Sequence, residues 1–343
     1  MPPTSPSAAA SFPCLMVRRN EQADRRARPS CAVESIHPDD LPPGDVRIAV
    51  EWSSLNYKDA LACQAHPGVV RKLPHVPGID CAGTVLESKD SRFAAGQPVL
   101  VTGYDLGSGR WGGWSGQVRV PAEWVVPMPE GLSAETAMLY GTAGFTAAQS
   151  VDRLRQHGVL PGAGEVLVTG ATGGVGSLAL AILVRLGYQV VAVTGKPERA
   201  TLLRDLGAAR ILGRDQVDDS SGRPLLSERW AGGIDTVGGN TLATLLRETR
   251  HRGCVTACGL VAGDQLPLTV FPFILRGVTL SGIDSAQCPR ALRLQIWQHL
   301  AGDWKPGDLQ HLVHKITLAE VPDQVRAMLG GQTWGRTLVR PVA

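Results

Sequence analysis

VLVTGATGGVGS, residues 166–177, runs from an apolar stretch into a second one, LALAILVRLG, through Gly170, Gly173, Gly174 and Gly176. Glycine permits a tight turn and lets the backbone approach a pyrophosphate, whose charge is met by N–H groups and the positive end of a helix. The spacing is Gly-x-x-Gly-x-x-Gly rather than Gly-x-Gly-x-x-Gly. A purely structural turn would read the same in isolation. Here the turn sits between a strand pattern and a helix pattern and opens a βαβ unit, which is the context a dinucleotide site requires.

Reading outward, EVLVTG, VGSLALAILVRLG, YQVVAVTG, PERATLLRDLG and ARIL alternate strand and helix. Continuous apolar strands between helices predict an α/β fold with a doubly wound parallel sheet of the Rossmann kind. GIDTVG (233–238), GCVTACGL (253–260) and VTLSGID (278–284) supply three further strands, and a helix near Arg290–Leu300 closes the unit. The second strand ends in VVAVTGKPER (190–199), with Thr194 standing 21 residues after Gly173. NAD-binding chains place an acid there for the ribose 2′-hydroxyl, and an acid would repel a 2′-phosphate. Thr194 offers a hydroxyl, Gly195 a close backbone approach and Lys196 a point charge, with Arg199 and Arg214 able to add more. The expected coenzyme is NADPH.

Before this unit, VRIAVEW (46–52) alternates Val46, Ile48, Val50 and Trp52 with Arg47, Ala49 and Glu51, the mark of a half-buried antiparallel strand. PVLVTG (98–103) and GQVRVPAEWVVPMP (116–129) extend a small turn-rich β unit. A helix then starts after Ser133 and is interrupted near Gly141 and Gly144. The last stretch, from His314, reads as strand, helix, glycine turn and strand, and returns to the first unit. The expected divisions are a disordered tail at 1–13, a β domain at 14–140 with 301–343, and a nucleotide-binding domain at 141–300.

Composition excludes several classes. With 34 basic and 31 acidic residues, a net charge of +3 and no single-sign block, the chain has neither a nucleic-acid face nor a membrane patch. Apolar runs such as Leu178–Val184 fall far short of the roughly 20 residues a bilayer span needs. Seven scattered cysteines without a Cys-x-x-Cys pair suggest neither a disulfide framework nor a zinc lobe, and read as small buried hydrophobes in a reducing compartment. The Pro, Ser and Ala rich start lacks the basic and apolar regions of a signal peptide, so the expected location is cytoplasmic.

WSSLNYKDAL (52–61), PGIDCAGTV (77–85), WGGWSGQVRV (111–120), GTAGFTA (141–147) and GRTLV (335–339), together with the glycine turn, resemble the medium-chain dehydrogenase/reductase superfamily. Within it they are most similar to the zinc-independent acrylyl-CoA reductase branch, the AcuI/YhdH-type quinone-oxidoreductase-like proteins. The likeness covers nearly the whole chain after the tail. It implies a GroES-like β domain plus a Rossmann domain, a homodimer, and NADPH-dependent reduction of an α,β-unsaturated acyl-CoA, acrylyl-CoA giving propionyl-CoA. A quinone or enone oxidoreductase, and a non-catalytic NADPH-binding protein with a structural or sensing role, are the competing readings.

Zinc-dependent relatives carry Gly-His-Glu where this chain has Gly78-Ile79-Asp80, and a cysteine ligand near the position matching Asn56–Asp59. Ile79 cannot ligate a metal, so no metal site is expected. That favours reducing an activated double bond, since a thioester carbonyl already withdraws charge from the β-carbon. By resemblance, Tyr57 lies beside the nicotinamide and either orients it or supplies a proton; a structural tyrosine at a strand end is the alternative. The likeness further implies coenzyme contacts at Thr142, at Thr172, Gly173, Gly174 and Val175, at Thr194, Gly195 and Lys196, and at Arg214, Leu260, Ile274 and Ser285. Arg71, Lys72, Arg110 and Arg336 are candidates for the CoA phosphates, each equally readable as a solvated cation. Departures from the family pattern are Gly330-Gly331-Gln332 before GRTLV, where a coenzyme contact is missing, and two residues added around Ser220–Gly222 in a surface loop.

Overall fold

The computed structural model describes residues 10–19 and 29–342. Two compact units divide the chain, Met1–Gly141 with Val313–Ala343, and Thr142–Leu312. The chain begins with β1 (Phe12–Arg18) and β2 (Ser30–Ile36), an antiparallel pair with Phe12 opposite Ile36. Phe12 and Cys14 to Val17 are buried, which is why this stretch is strand rather than tail: the expected tail at 1–13 overruns β1 by two residues, and its first nine lie outside the described residues.

β3 (Val46–Leu55) leads into α1 (Tyr57–Cys63), followed by β4 (Asp80–Ser88), β5 (Pro98–Thr102), β6 (Gln117–Val120), β7 (Val126–Pro127) and α2 (Ala134–Gln156). β3 follows the expected alternation as far as Glu51; a register shift between Val50 and Trp52 breaks it, leaving Trp52 half-buried and Ser53, Ser54 and Leu55 all buried. Ser133 caps α2 by accepting the Thr136 N–H at 3.1 Å. The helix breaks at Gly141, whose φ of 50° and ψ of −154° only glycine adopts readily, while Gly144 stays helical.

The second unit then alternates, except that only a 3-10 turn separates β10 from β11: β8 (Val166–Val168), α3 (Gly174–Arg185), β9 (Val190–Val193), α4 (Ala200–Asp205), β10 (Arg210–Leu212), β11 (Trp230–Asp235), α5 (Gly239–Glu248), β12 (Thr249–Ala257), α6 (Phe271–Arg276), β13 (Thr279–Gly282) and α7 (Arg290–Ala301). Every residue of β8 and β9 is buried, as a strand inside a parallel sheet must be. The six strands are all parallel in the order β10-β9-β8-β11-β12-β13. Chain order therefore reverses between β8 and β11, and such a switch point leaves a crevice at the carboxyl ends of the strands.

β14 (Val313–Thr317), α8 (Val321–Leu329) and β15 (Arg336–Arg340) complete the first unit. Its seven-stranded sheet runs β14-β15-β3-β4-β5-β7 with β6 against β3, antiparallel except between β14 and β15. The return falls at Val313 rather than at 301, because Trp304, Leu309 and Leu312 are buried and Trp304 stacks on His299 of α7.

Candidate active site

At the switch point of the second unit, the ends of β8 and β11 are stitched together. Thr169 Oγ1 donates to Asp235 Oδ1 at 2.7 Å and accepts the Thr236 N–H at 2.9 Å, while Thr236 Oγ1 donates to the Thr169 carbonyl at 3.0 Å. The second Asp235 oxygen accepts the N–H groups of Gly238 at 2.7 Å and Val237 at 3.2 Å. Burial raises the Asp235 carboxyl above its ordinary range, and these donors pull the other way. Beside this stitch, Thr172 and Gly173 form the turn, Gly173 is the N-cap of α3, and Gly174 and Val175 are its first residues. The Gly173 N–H is taken by the Gly170 carbonyl at 2.9 Å, whereas the N–H groups of Gly174 and Val175 belong to the first helical turn, where no intrahelical acceptor exists, so these two can face an anion.

The end of β9 carries a cationic cradle. Buried Thr194 accepts the Lys196 N–H at 3.0 Å, and its hydroxyl lies 3.2 Å from that of Thr172. Arg214 lies directly over Gly195: a methyl group added there would fall 2.3 Å from Arg214 Nε and 2.5 Å from its Cζ. Burial lowers the Lys196 ammonium below its ordinary value, and the Arg199 and Arg214 charges lower it further against Glu198. Three like charges held together in this way lose repulsion when an anion enters. That is the fit a 2′-phosphate requires.

The remaining expected contacts are more dispersed. Leu260 follows Gly259 with its Cα 3.1 Å from where a Gly238 methyl would stand, close to the carboxyl end of β11, and its side chain is exposed. Ile274, on α6, is also exposed. Ser285 is half-buried, and its carbonyl and that of Ala286 each accept from Arg293 Nη2 at 3.1 Å. Arg293 itself is fully buried with its guanidinium 4.8 Å from the Phe145 ring centroid. Thr142 is half-buried, with its carbonyl accepting from Thr146 Oγ1.

The first unit holds Tyr57 at the first position of α1, 53% exposed, above a buried ionic network. Asp59 and Asp80 are fully buried and Arg336 is 2% exposed. Asp59 Oδ1 accepts the N–H groups of Ile79 at 2.8 Å and Gly78 at 3.1 Å; Oδ2 accepts the Asn56 N–H at 2.8 Å and its side-chain amide at 3.2 Å. Asp80 Oδ2 accepts from Ser54 Oγ at 2.6 Å and Asn56 Nδ2 at 2.8 Å. Arg336 donates to the Leu139 carbonyl at 2.8 Å, the Met138 carbonyl at 3.4 Å and Asn56 Oδ1 at 3.2 Å. Asp80 Oδ2 and Arg336 Nη2 lie 2.6 and 2.8 Å from the point a Gly141 methyl would occupy, so the broken helix leaves room for the pair. Burial, then the Asp80 charge, push Asp59 up to about 7, against the pull of its donors. Burial lowers the Arg336 guanidinium, while Asp80 and Asp59 raise it.

Arg336 is therefore no ligand for CoA phosphates: it is a core residue, a correction the network explains. Arg110 donates to the Pro43 carbonyl and stacks on Trp124; Arg71 and Lys72 are exposed. Sequence reasoning missed Ser54, Asn56, Asp59 and Asp80 as a unit, and also Thr169, Asp235 and Arg293. The Asp within GIDTVG, at the end of the other strand of the switch point, was the available signal for Asp235. Among the described residues no group of three His, Cys, Asp or Glu side chains is arranged to hold a metal, and Ile79 is buried. No helix among them is long and apolar enough to cross a membrane.

A GroES-like sheet made from both chain ends, interrupted in sequence by a six-stranded Rossmann sheet, defines the medium-chain dehydrogenase/reductase class. The alcohol dehydrogenase GroES-like domain model matches residues 42–130, and the zinc-binding dehydrogenase model matches residues 174–299. Acrylyl-CoA reductase AcuI of Ruegeria pomeroyi is 48% identical over 96% of this chain and 98% of its own length. The structure of Escherichia coli YhdH with bound NADPH superposes with a TM-score of 0.91 at 47% identity, covering 96% of this chain and 99% of that one. Bacillus subtilis yhfP with NAD bound gives 0.93 at 44% identity, covering 97% and 100%. The chain belongs to the AcuI/YhdH-type family of zinc-independent, quinone-oxidoreductase-like reductases.

Proposed function

We propose that this protein uses NADPH to reduce the carbon–carbon double bond of a 2-enoyl-CoA, with acrylyl-CoA giving propionyl-CoA. The observation that carries the coenzyme half is the cradle of Lys196, Arg199 and Arg214 at the end of β9, where Thr194 and Gly195 stand in place of the acid that would meet a ribose 2′-hydroxyl. The substrate half rests on the near-full-length similarity to an acrylyl-CoA reductase. Thr172 and Gly173 shape the turn that lets the pyrophosphate approach, Gly174 and Val175 hold it by N–H groups and helix charge, and Thr194, Gly195, Lys196 and Arg214 hold the 2′-phosphate. Thr142, Leu260, Ile274 and Ser285 serve the nicotinamide half. When bound, the coenzyme supplies the hydride that adds to the β-carbon of the thioester. Tyr57 presents its exposed hydroxyl from a helix start fixed by Asp59, and it orients the nicotinamide or protonates the α-carbon.

The protein is proposed to work as a homodimer. β13 is an edge strand of the parallel sheet, and the preceding segment exposes Leu260, Val261, Val270, Phe271, Ile274 and Leu275. An unpaired edge beside an exposed apolar patch suits a second copy of the same surface.

Steady-state turnover tests the functional reading. Acrylyl-CoA should accelerate NADPH oxidation far more than quinones or simple enones do, and Lys196→Asp should weaken NADPH binding about tenfold or more, the scale of a lost charge-assisted contact, with little change for NADH. Faster turnover of quinones would favour the oxidoreductase alternative. Coenzyme binding without turnover of any electrophile would favour a sensing or structural role.

A further inference from the structure

We propose that Cys31 and Cys63 form a redox-modifiable dithiol, which a hydroperoxide converts to a disulfide tying β2 to the last turn of α1. Cys31 is the second residue of β2 and is half-buried; Cys63 closes α1 and is 3% exposed. Although 32 residues apart in sequence, they share one apolar cluster. Cys31 Sγ donates to the Cys63 carbonyl oxygen at 3.6 Å, which brings the Cys31 thiol to the residue that carries the second one. No other pair of this chain's thiols shows such a contact among the described residues.

The pair is chemically asymmetric. A hydrogen bond from Cys63 lowers the Cys31 thiol, opposing its burial, whereas that bond and burial both raise Cys63. Cys31 therefore offers the thiolate and the access that an oxidant needs, and Cys63 stands beside it as the resolving thiol. The competing cysteines lack one or both properties: Cys14, Cys81, Cys254 and Cys288 are buried, and burial raises Cys258 to about 12.

With hydrogen peroxide as the oxidant, the Cys31 sulfur attacks one peroxide oxygen. The O–O bond breaks, and the departing hydroxide takes up a proton to become water. Cys31 is left as a sulfenic acid. Cys63 sulfur then attacks the Cys31 sulfur, the S–O bond breaks, and the hydroxyl leaves as water with the Cys63 proton. The two thiols together lose two electrons and two protons, and the peroxide is reduced to two waters. A dithiol reductant reverses the bond by exchange. The bridge would restrain the far end of the helix that begins at Tyr57 and closes a loop in the unfolded chain, which raises stability.

The test uses the full chain, reduced and then treated with hydrogen peroxide, alkylated under denaturing conditions and digested. The seven titratable thiols should fall by two, a cross-linked peptide joining Cys31 to Cys63 should appear, and the melting temperature should rise by several degrees. All three changes should reverse with dithiothreitol. Cys31→Ser and Cys63→Ser proteins, checked for folding by circular dichroism, should lose no pair of thiols and show no rise. Retention of all seven thiols in the wild-type chain, a Cys31 sulfinic acid without a cross-link, or a bridge using Cys14 would each overturn the proposal, and none depends on the variants folding.

Discussion

A guanidinium shut away from water needs its charge and its donors answered, and Arg336 has two buried carboxylates in its field and three acceptors in reach. Removing it leaves Asp59 and Asp80 uncompensated in the core. Arg336→Met should therefore cost about 3–5 kcal/mol in a denaturant titration, the range for breaking a buried pair from one side. Adding Asp80→Asn should restore part of that loss, and no restoration would show that the two charges do not act together. Nothing in GRTLV distinguishes this arginine from a surface cation, since its partners come from positions 56, 138 and 139. Lys196 was legible for the opposite reason. Its place is fixed by counting along one βαβ unit, and its neighbour Arg214 lies just beyond the next strand.

At the level of single elements, α1 has its start fixed by Asp59, which accepts the N–H of Asn56 while also gripping Gly78 and Ile79 ahead of β4. Burial holds the folded carboxyl up at about 7 against an ordinary 3.8. An acid whose folded value is raised binds more protons in the native state than in the unfolded state across that interval. Its contribution to stability is therefore complete below about 3.8 and is lost as pH rises through about 7. Asp59→Asn places an amide among N–H donors and should destabilise the protein, but Asn does not titrate. The difference in stability between wild type and variant should narrow as pH rises from 4 to 7, measured by thermal melts; a difference independent of pH would contradict the raised value. The alternation in β3 was readable as far as Glu51, and the bulge between Val50 and Trp52 was not. That bulge turns Ser53 and Ser54 inward together, so no strict period of two could reveal the Ser54 contact with Asp80.

For the molecule as a whole, the parallel sheet was legible because its central strands β8 and β9 are apolar throughout and its glycine turn fixes which strand comes first. The domain returns were less so. Trp304, Leu309 and Leu312 keep the chain with the second unit past the end of α7, and such packing leaves no periodic mark in a segment without regular structure. Leu260, Val261, Leu266, Val270, Phe271, Ile274 and Leu275 are all exposed large hydrophobic residues within one short stretch of the described chain. Sedimentation equilibrium should give a dimer for the wild-type chain and a shift toward monomer for Ile274→Glu, which puts a charge into that patch; a monomeric wild type would remove the dimer.

The chemistry is tested most directly by following the transferred atom. Acrylyl-CoA incubated with NADPH deuterated at the transferring position of the nicotinamide ring should give propionyl-CoA carrying one deuterium on the β-carbon, with the α-hydrogen drawn from solvent. Propionyl-CoA without that label, or unreduced acrylyl-CoA beside folded protein and bound coenzyme, would contradict the account.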